Sequence, residues 1–422
     1  MKLKYYLRLA CPSFDIKNLR QYFTIIFIIR GFFSALLLSL FIYLDYFEME
    51  NPLLNTILAV SGFYFLLKEN QIVLFWIGFF IGVFWFYWIG FSFRYYGMPY
   101  LIPFMIIFTA FVYGFLFWFI GAFKEPFIRA LLILTASFVH PLGFNWFIPE
   151  AILTNGFIGV SKWQFAIFLF SIALFIKIKN RYRIISFLIL LLAADWQTKE
   201  VREPNLKIKL SSPSLAQNIK WDPKYLPSIV RKNISQIEEA IREKYDIIIL
   251  SESIFPLYLD RDENLMNLLK KLSKKITIVT GALSYKNDKV YNSTYYFVNG
   301  KVTIADKVFL VPFGEEVPLP KFMAKYVNKI FFDGASDYST AKKPTDIKIK
   351  GYTFRNAICY EATKEEMYEN APPYIIATSN NAWFTPSIEP VLQKIILKYL
   401  AKKYGKIIYH SANMGITAVI KG

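Results

Sequence analysis

The sequence has 422 residues, of which 55% are hydrophobic and 19% aromatic, and its formal net charge is +18. Soluble domains are about 45–50% apolar, so this composition predicts a membrane-embedded part. Two cysteines and two histidines exclude a disulfide framework and a zinc cluster. The basic balance does not predict nucleic-acid binding, because no nucleic-acid-binding motif accompanies it and basic loops also set membrane topology.

Charge is distributed unevenly along the chain. Residues 1–195 hold 15 of the 49 Lys and Arg residues and 8 of the 31 Asp and Glu residues. We therefore predict two domains, a transmembrane helical domain over residues 1–195 and a globular domain over residues 196–422.

Apolar runs in the first domain predict a bundle of about seven membrane helices. The runs lie at about 21–44, 53–67, 71–92, 99–123, 127–147, 163–176 and 184–194. A spanning helix needs about 20 apolar residues, which the first, third, fourth and fifth runs provide and the other three do not. The first run is too long for a signal peptide, and no small-residue cleavage site follows it. Arg30 lies within this run and is expected either to snorkel or to face the bundle interior.

The loops between these runs alternate in charge, which predicts their orientation. One set carries twelve basic residues: Lys2, Lys4, Arg8, Lys17, Arg20, Lys68, Lys124, Arg129, Lys177, Lys179, Arg181 and Arg183. The opposite set carries only Arg94 and Lys162, with the acidic cluster Asp45, Glu48 and Glu50. The positive-inside rule puts the first set and the N-terminus in the cytoplasm. Seven crossings then place residues 196–422 on the periplasmic or extracellular side. If the seventh run does not span, these residues are cytoplasmic, but the basic cluster from Lys177 to Arg183 argues against that, because it needs a helix on each side.

The second domain alternates short β-rich runs with helical runs, which predicts an α/β domain with helices covering sheets. The predicted strands are Leu206–Ser211, Asp246–Ser251, Ile276–Gly281, Ser293–Val298, Val302–Phe309, Tyr352–Tyr360, Tyr374–Ser379, Lys406–His410 and Ile416–Ile420. The predicted helices are Pro227–Lys244, Arg261–Lys274, Lys364–Glu369 and Ile388–Tyr404.

Three positions in this domain indicate chemistry. Glu252 ends an apolar strand, where a partly buried carboxylate can act as a general base, although a helix N-cap would give the same pattern. Lys307 precedes an apolar stretch and a Val-Pro-Phe-Gly-Glu turn; a fixed lysine can stabilise an oxyanion, although a solvated strand-edge lysine is the plain alternative. Cys359 is the only cysteine of the second domain. An unpaired thiol in an oxidising compartment favours a nucleophile over a packing residue.

The order Glu252, Lys307, Cys359, with spacings of 55 and 52 residues, resembles that of the nitrilase (carbon–nitrogen hydrolase) superfamily. Five segments further resemble motifs of its membrane-anchored branch, the apolipoprotein N-acyltransferases: Gln217–Pro223, Lys307–Pro318, Ile358–Glu361, Ser379–Phe384 and Ser411–Val419. The sequence departs from these motifs at Ser251, where Pro is common, and at Asn381, which replaces an Asp. The family usually has one more membrane helix after the last strand, whereas this sequence stops at Gly422.

The resemblance implies an N-acyltransferase whose catalytic domain is an αββα sandwich, with no metal or cofactor. It implies that Cys359 takes an acyl chain from a phospholipid as a thioester and passes it to the N-terminal α-amine of an S-diacylglyceryl-cysteine apolipoprotein. That reaction is the last step of bacterial lipoprotein maturation. Glu252 would serve as the base and Lys307 would stabilise the oxyanion. A monomer acting at the lipid bilayer is expected.

The resemblance also implies supporting residues around this centre. Glu315 and Glu361 are expected to orient Lys307 and the backbone, with ordinary salt bridging as an equal alternative. Tyr360, Trp221 and Trp383 are expected to contact substrate, although simple packing is an alternative for Trp221.

Two further interpretations complete the sequence-based picture. Residues 321–332 repeat lysine every four positions with apolar residues between, which predicts a short interfacial amphipathic helix.

Two other functions compete with the acyltransferase. One is a membrane-tethered amidase of the same superfamily that hydrolyses a small amide, and the other is a non-enzymatic transporter or receptor with a degenerate domain.

Overall fold

The computed structural model describes residues 19–140, 143–196, 201–312, 314–316 and 338–422. The chain divides into two compact units, one of residues 1–93, 98–140 and 147–197, the other of residues 94–97, 141–146 and 198–422. Two short segments from the first half of the sequence therefore belong to the unit that the second half builds. The interfacial helix predicted over residues 321–332 lies outside the described residues.

The first unit is a bundle of α-helices. The helices are α1 (Leu19–Tyr22), α2 (Ile25–Tyr46), α3 (Pro52–Lys68), α4 (Gln71–Phe86), α5 (Ile102–Gly121), α6 (Pro126–Ala136), α7 (Lys162–Lys177) and α8 (Arg183–Leu192). By length and composition, Ile25–Tyr46 and Pro99–Gly121 can cross a membrane, and α3, α4 and α6 are shorter apolar helices. Each predicted apolar run overlaps one of the helices α2 to α8.

Two of the runs predicted as long spans are shorter helices in the structure. α4 ends at Phe86 and is followed by a 3-10 helix, Ile89–Arg94. α6 ends at Ala136, eleven residues short of the predicted run. The end of that run makes polar contacts instead, because Asn145 Nδ2 donates to the main-chain oxygen of Thr363 at 2.7 Å. The hydrophobicity of the sequence could not indicate that the helix ends at Ala136, because the phenylalanine and tryptophan residues that follow are apolar whether or not they are helical.

Small residues let α4 and α5 pack closely. A Cβ added to Gly78 would lie 2.2 Å from the main-chain oxygen of Tyr113, and one added to Gly82 would lie 2.7 Å from the Cα of Ala110. The Gly-x-x-x-Gly spacing puts both glycines on one helix face, as in close membrane-helix pairs. Other residues of α5 point outward and are at least 53% exposed: Phe104, Phe108, Phe115 and Phe119. Such an apolar surface is suited to lipid.

Ion pairs neutralise charges within the helical unit. Arg30 was expected either to snorkel or to face the bundle interior. Its Nη2 lies 2.5 Å from Glu69 Oε2. Glu150 is fully buried and pairs with Lys162. Charged groups are tolerated in an apolar bundle when a partner replaces the lost water.

The second unit contains two β-sheets. The strands are β1 (Ile208–Leu210), β2 (Ile247–Ile249), β3 (Phe255–Tyr258), β4 (Thr277–Lys286), β5 (Lys289–Val298), β6 (Lys301–Asp306), β7 (Asp346–Ile349), β8 (Tyr352–Ile358), β9 (Tyr374–Asn380), β10 (Ile407–Asn413) and β11 (Ala418–Lys421). One sheet has the order β1-β2-β4-β5-β6, with β3 paired to β4, and the other has the order β11-β10-β9-β8-β7. Strands β1, β2 and β4 are parallel, as are β8, β9 and β10.

The two sheets face each other across a shared hydrophobic core. This core joins Ile249, Val279 and Tyr296 of the first sheet to Phe354 and Ile376 of the second. The helices of the unit are α9 (Gln217–Lys220), α10 (Leu226–Arg242), α11 (Glu263–Leu272) and α12 (Glu389–Tyr404). α10 and α11 pack on the outer face of the first sheet, and α12 contacts β10 and β11. The layers are helix, sheet, sheet and helix, which confirms the predicted αββα sandwich.

All nine predicted strands are present, with shifted ends, and β3 and β7 were not predicted. β3 contains a proline and β7 has only four residues, so neither gives a clear alternating pattern. The helix predicted over Lys364–Glu369 is wrong. That stretch contains only the 3-10 turn Glu365–Met367, because Lys364 before the turn has an extended backbone with a ψ of 132°.

Candidate active site

The three predicted catalytic side chains follow the ends of three strands. Glu252 lies after β2, Lys307 directly after β6 and Cys359 directly after β8. Lys307 Nζ is 3.8 Å from Glu252 Oε1. Both groups also act electrostatically on the Cys359 thiol. The fold therefore brings together three residues whose first and last members lie more than 100 positions apart in the sequence.

Lys307 is a buried cation held between two carboxylates. Its side chain is 0% exposed, and Nζ lies 2.6 Å from Glu315 Oε2. Burial alone would lower the pKa of Lys307, but Glu315 and Glu252 outweigh burial and raise that pKa above its ordinary value. Lys307 therefore keeps its proton at neutral pH. It can stabilise a negative charge but cannot act as the base.

Asn292 connects the two carboxylates and was not identified from the sequence. Its Nδ2 donates to Glu252 Oε1 at 2.7 Å and to Glu315 Oε1 at 3.0 Å. Glu252 is 7% exposed and Asn292 4%. A donor fixed on β5 therefore orients both carboxylates around Lys307. An asparagine within a strand gives no signal of this role in a single sequence.

The backbone at Cys359 adopts a left-handed conformation, with a φ of 54°. A non-glycine residue in this region costs of order 1–3 kcal/mol and is common at functional sites. Burial raises the pKa of the Cys359 thiol well above its ordinary value, and the Glu252 carboxylate adds to the rise. Lys307 and the main-chain N–H of Asn380 act in the opposite direction. The resting thiol is therefore neutral at pH 7 and needs a base to become a nucleophile.

Glu361 connects the chain beside Lys307 to the chain beside Cys359. Its carboxylate accepts from the main-chain N–H groups of Val308 at 2.7 Å, Phe309 at 3.2 Å and Ile358 at 2.7 Å. Burial raises the pKa of Glu361 to about 7, against the lowering effect of these donors and of Lys307. This arrangement fixes the backbone that follows Lys307 relative to the backbone that precedes Cys359.

The main chain at Glu252 lies against β4 at a glycine. A Cβ added to Gly281 would lie 2.3 Å from the nitrogen of Ser253 and 2.7 Å from the Cα of Glu252. Both are backbone atoms, so no side-chain rotation could make room. The residue type at position 281 therefore controls where Glu252 lies.

Tyr360 is 2% exposed and anchors a segment from the first half of the sequence. Its hydroxyl donates to the oxygen of Gly143 at 2.8 Å and accepts from the N–H of Asn145 at 3.2 Å. Its ring stacks on Phe144 with the centroids 6.1 Å apart. The Tyr360 side chain therefore contacts residues 143–145.

The two predicted substrate-contacting tryptophans lie in different surroundings. Trp383 stacks on Tyr96 with the ring centroids 5.9 Å apart and meets Tyr95 edge-on at 5.4 Å. Tyr95 also donates from its hydroxyl to the oxygen of Ala382 at 3.0 Å. Trp221, at the end of α9, is 40% exposed, so it is not a buried packing residue.

The amide of Asn381, where the family motif has Asp, contacts a buried carboxyl group. Asn381 Nδ2 donates to both carboxylate oxygens of Glu389, at 2.9 and 2.8 Å, and to Gln393 Oε1 at 2.9 Å. Burial raises the pKa of Glu389 to about 8. An Asp at 381 would place two carboxylates in contact, whereas the amide donates to Glu389.

The assembled groups fit acyl transfer by a cysteine. A neutral thiol, a carboxylate acceptor and a permanent cation act on one another there, and the main-chain N–H of Asn380 also favours the thiolate. Among the residues that the structure describes, no three His, Cys, Asp or Glu side chains are grouped to hold a metal ion.

Comparisons with known proteins agree along nearly the whole chain. Residues 25–196 match the family model described as the apolipoprotein N-acyltransferase integral membrane domain. The chain is 40% identical over 391 residues to the apolipoprotein N-acyltransferase of Wolinella succinogenes, covering 92% of this chain and 94% of that protein. The identity to the Campylobacter jejuni protein of the same name is 40% over 411 residues, covering 95% and 91%.

Solved structures give a weaker comparison. A CN-hydrolase superfamily protein from Xanthomonas campestris matches with a TM-score of 0.39 and 14% identity, covering 52% of this chain and 83% of that chain. A similarity at this level supports no statement about activity. The fold of the second unit is described by the order of its strands and by its hydrophobic core.

Proposed function

Because the chain belongs to the apolipoprotein N-acyltransferase family, we propose that Glu252, Lys307 and Cys359 are the catalytic residues of this enzyme. The main support is the buried Lys307 ammonium, 3.8 Å from Glu252 and electrostatically coupled to Cys359. The acyl donor is a phospholipid, and the acceptor is the N-terminal α-amine of an S-diacylglyceryl-cysteine apolipoprotein. The reaction proceeds in two half-reactions through a thioester.

In the first half-reaction the Cys359 sulfur attacks the ester carbonyl carbon of the phospholipid. Glu252 takes the thiol proton as the carbon–sulfur bond forms. Lys307 stabilises the tetrahedral oxyanion, because its charge is fixed before the reaction begins. The carbon–oxygen bond then breaks, and Glu252 returns the proton to the departing glycerol oxygen. The products are S-acyl Cys359 and a lysophospholipid.

In the second half-reaction the free α-amine of the apolipoprotein attacks the thioester carbonyl. Glu252 takes the amine proton, the carbon–nitrogen bond forms and Lys307 again stabilises the oxyanion. The carbon–sulfur bond breaks, and the proton on Glu252 returns to the Cys359 sulfur. An N-acylated lipoprotein leaves, and the enzyme regains its initial state.

The remaining predicted residues have supporting roles in this scheme. Glu315 holds Lys307 through the 2.6 Å contact, and Glu361 fixes the main chain on both sides of the centre. Tyr360 holds residues 143–145 through its hydroxyl, and contact of its side chain with substrate stays a prediction. Trp221 and Trp383 contact substrate, and the exposure of Trp221 leaves its ring accessible to an acyl chain or headgroup.

The chain is an integral membrane protein. In our proposal the N-terminus is cytoplasmic and residues 198–422 are periplasmic in a bacterial inner membrane, which follows from the basic residues of alternate loops. Reporter fusions after residues 68 and 422 test this orientation, since they must report opposite sides. One chain supplies Glu252, Lys307 and Cys359, so the mechanism needs no second copy.

Intact-mass spectrometry after incubation with phosphatidylethanolamine tests the thioester. We expect the wild-type chain to gain one acyl mass that hydroxylamine removes, and Cys359→Ala to gain none. Cys11→Ala is the matched control, because it removes the other cysteine and should keep the adduct. No adduct on a folded, fully reduced wild-type protein would favour the small-amide hydrolase instead.

A further inference from the structure

A second lysine is buried beside the catalytic centre. Lys220 lies at the end of the short helix α9 and is 1% exposed. Its Nζ donates to the main-chain oxygen of Glu252 at 2.9 Å. A lysine is rarely buried this completely unless its charge is used or compensated. The mechanism above gives this residue no role.

The charges around Lys220 belong to the reacting groups. Glu252 and Cys359 are the titratable groups that act on it electrostatically. Burial lowers the pKa of Lys220 to about 8, and those two groups oppose the lowering. The ring of Trp221 lies 5.9 Å from Nζ. Lys220 is therefore a cation whose charge responds to the protonation states of the base and the nucleophile.

A count of charges shows why a second cation matters. Lys307 is already matched by Glu315, 2.6 Å away. Before the proton transfer the unmatched negative charge among these groups is on Glu252, and when Glu252 takes the thiol proton this charge moves to the Cys359 sulfur. A buried unmatched charge is strongly disfavoured. An ammonium at Lys220 supplies the missing positive charge at that step.

The turn that carries Lys220 is also tied to the other side of the centre. Gln217 Oε1 accepts from Asn380 Nδ2 at 2.9 Å, and Asn380 Oδ1 accepts from Asn413 Nδ2 at 2.8 Å. The main-chain N–H of Asn380 lowers the pKa of the Cys359 thiol. One turn of α9 thus contacts the main chain of the base through Lys220 and the residue facing the nucleophile through Gln217.

We propose that Lys220 is a positioning residue of the acyl-transfer centre, which fixes the main chain of Glu252 and provides a second positive charge that favours the Cys359 thiolate. This inference deepens the proposed function and rests on Cys359 as the nucleophile. It predicts a specific effect on thiol ionisation. A lysine that only filled space would not influence the pH at which Cys359 reacts.

The test measures alkylation of Cys359 by iodoacetamide as a function of pH in the full-length detergent-solubilised protein. Peptide mass spectrometry reads Cys359 separately from Cys11. Lys220→Met removes charge and donor at similar volume, whereas Lys220→Gln removes the charge and keeps a donor. Lys224→Met is the matched control, since it makes the same substitution at an exposed lysine of the next turn.

Below about pH 8, where Lys220 keeps its proton, we expect both Lys220 variants to lower the thiolate fraction of Cys359, since a nearby opposite charge shifts a pKa by roughly one unit or more. Alkylation at pH 7.5 should slow about tenfold, while Lys224→Met matches the wild type. A wild-type profile in Lys220→Gln would overturn the proposal, because the charge would then be dispensable. Lys220→Gln also decides the question if Lys220→Met does not fold. The assay uses no lipid and no acceptor, so its result is independent of whether acyl transfer is the correct reaction.

Discussion

The substitution Gly281→Ala tests how closely the position of Glu252 controls the reaction. The added Cβ would lie 2.3 Å from the nitrogen of Ser253 and 2.7 and 2.8 Å from the Cα and carbonyl carbon of Glu252. An ordinary contact needs about 3.4 Å, so β4 and the Glu252 main chain must separate by about 1 Å. Close-packed interiors do not absorb such a shift without displacing neighbours.

The expected result is a large loss of rate with a modest loss of stability. A displacement of about 1 Å in a reacting group lowers rates by about 100-fold. Overpacking a core costs about 1–3 kcal/mol of unfolding free energy. We therefore expect acylation of Cys359, followed by intact mass over time, to slow about 100-fold in Gly281→Ala. The thermal midpoint should fall only slightly.

A stability control separates the two effects. Leu269→Ala truncates a fully buried side chain of α11 and should cost about 2–5 kcal/mol, at least as much as Gly281→Ala. Its acylation rate should nevertheless stay near that of the wild type when measured well below its melting temperature. If Gly281→Ala acylates as fast as Leu269→Ala, the position of the Glu252 main chain does not limit the reaction, and the reasoning fails.

Two further substitutions address the buried acids. Glu315→Gln removes the carboxylate 2.6 Å from Lys307 and should slow acylation of Cys359 by about 100-fold, as loss of an oxyanion donor does. The control Glu316→Gln changes the neighbouring residue and should not slow acylation. Equal rates for the two variants would contradict the role of Glu315. Glu389→Gln tests the pH dependence of stability. Burial raises the pKa of Glu389 to about 8, so the folded protein binds a proton that the unfolded chain releases. Stability from this group is complete below about pH 4.3 and is lost, by up to about 1.4 kcal/mol per pH unit, as pH rises through 8. Unfolding between pH 5.5 and 8.5 should depend less on pH in the variant, and equal slopes would contradict the shift.

The strand ends of the catalytic unit were predictable because their signals are local. The apolar runs before Glu252 and Cys359 mark buried strands, and the turn after Lys307 is marked by proline and glycine. Glu252 and Lys307 follow β2 and β6 of one sheet, and Cys359 follows β8 of the other sheet. The resemblance of their order and spacing to the nitrilase superfamily therefore predicted residues that the structure brings together.

The residues that orient this centre were not predictable, because their contacts are long-range. Asn292 is 40 positions from Glu252 and 23 from Glu315, and it lies in a strand whose pattern only indicates β-structure. Lys220 was part of a recognised segment, but nothing local distinguishes a buried lysine from a solvated one. The shortness of α6 was missed for a related reason, since hydropathy does not report which polar partner a segment will meet.

Because residues 94–97 and 141–146 belong to the second unit, this unit cannot be expressed or exchanged as one continuous segment of the chain. A gene fragment beginning at residue 198 would encode every strand of the sandwich but not the hydrogen-bond partners of Tyr360 or the ring that stacks on Trp383. The same holds for chimeras that join the membrane half of one relative to the sandwich of another. Those two short loops must be transplanted with the sandwich, so the smallest exchangeable part is discontinuous in sequence.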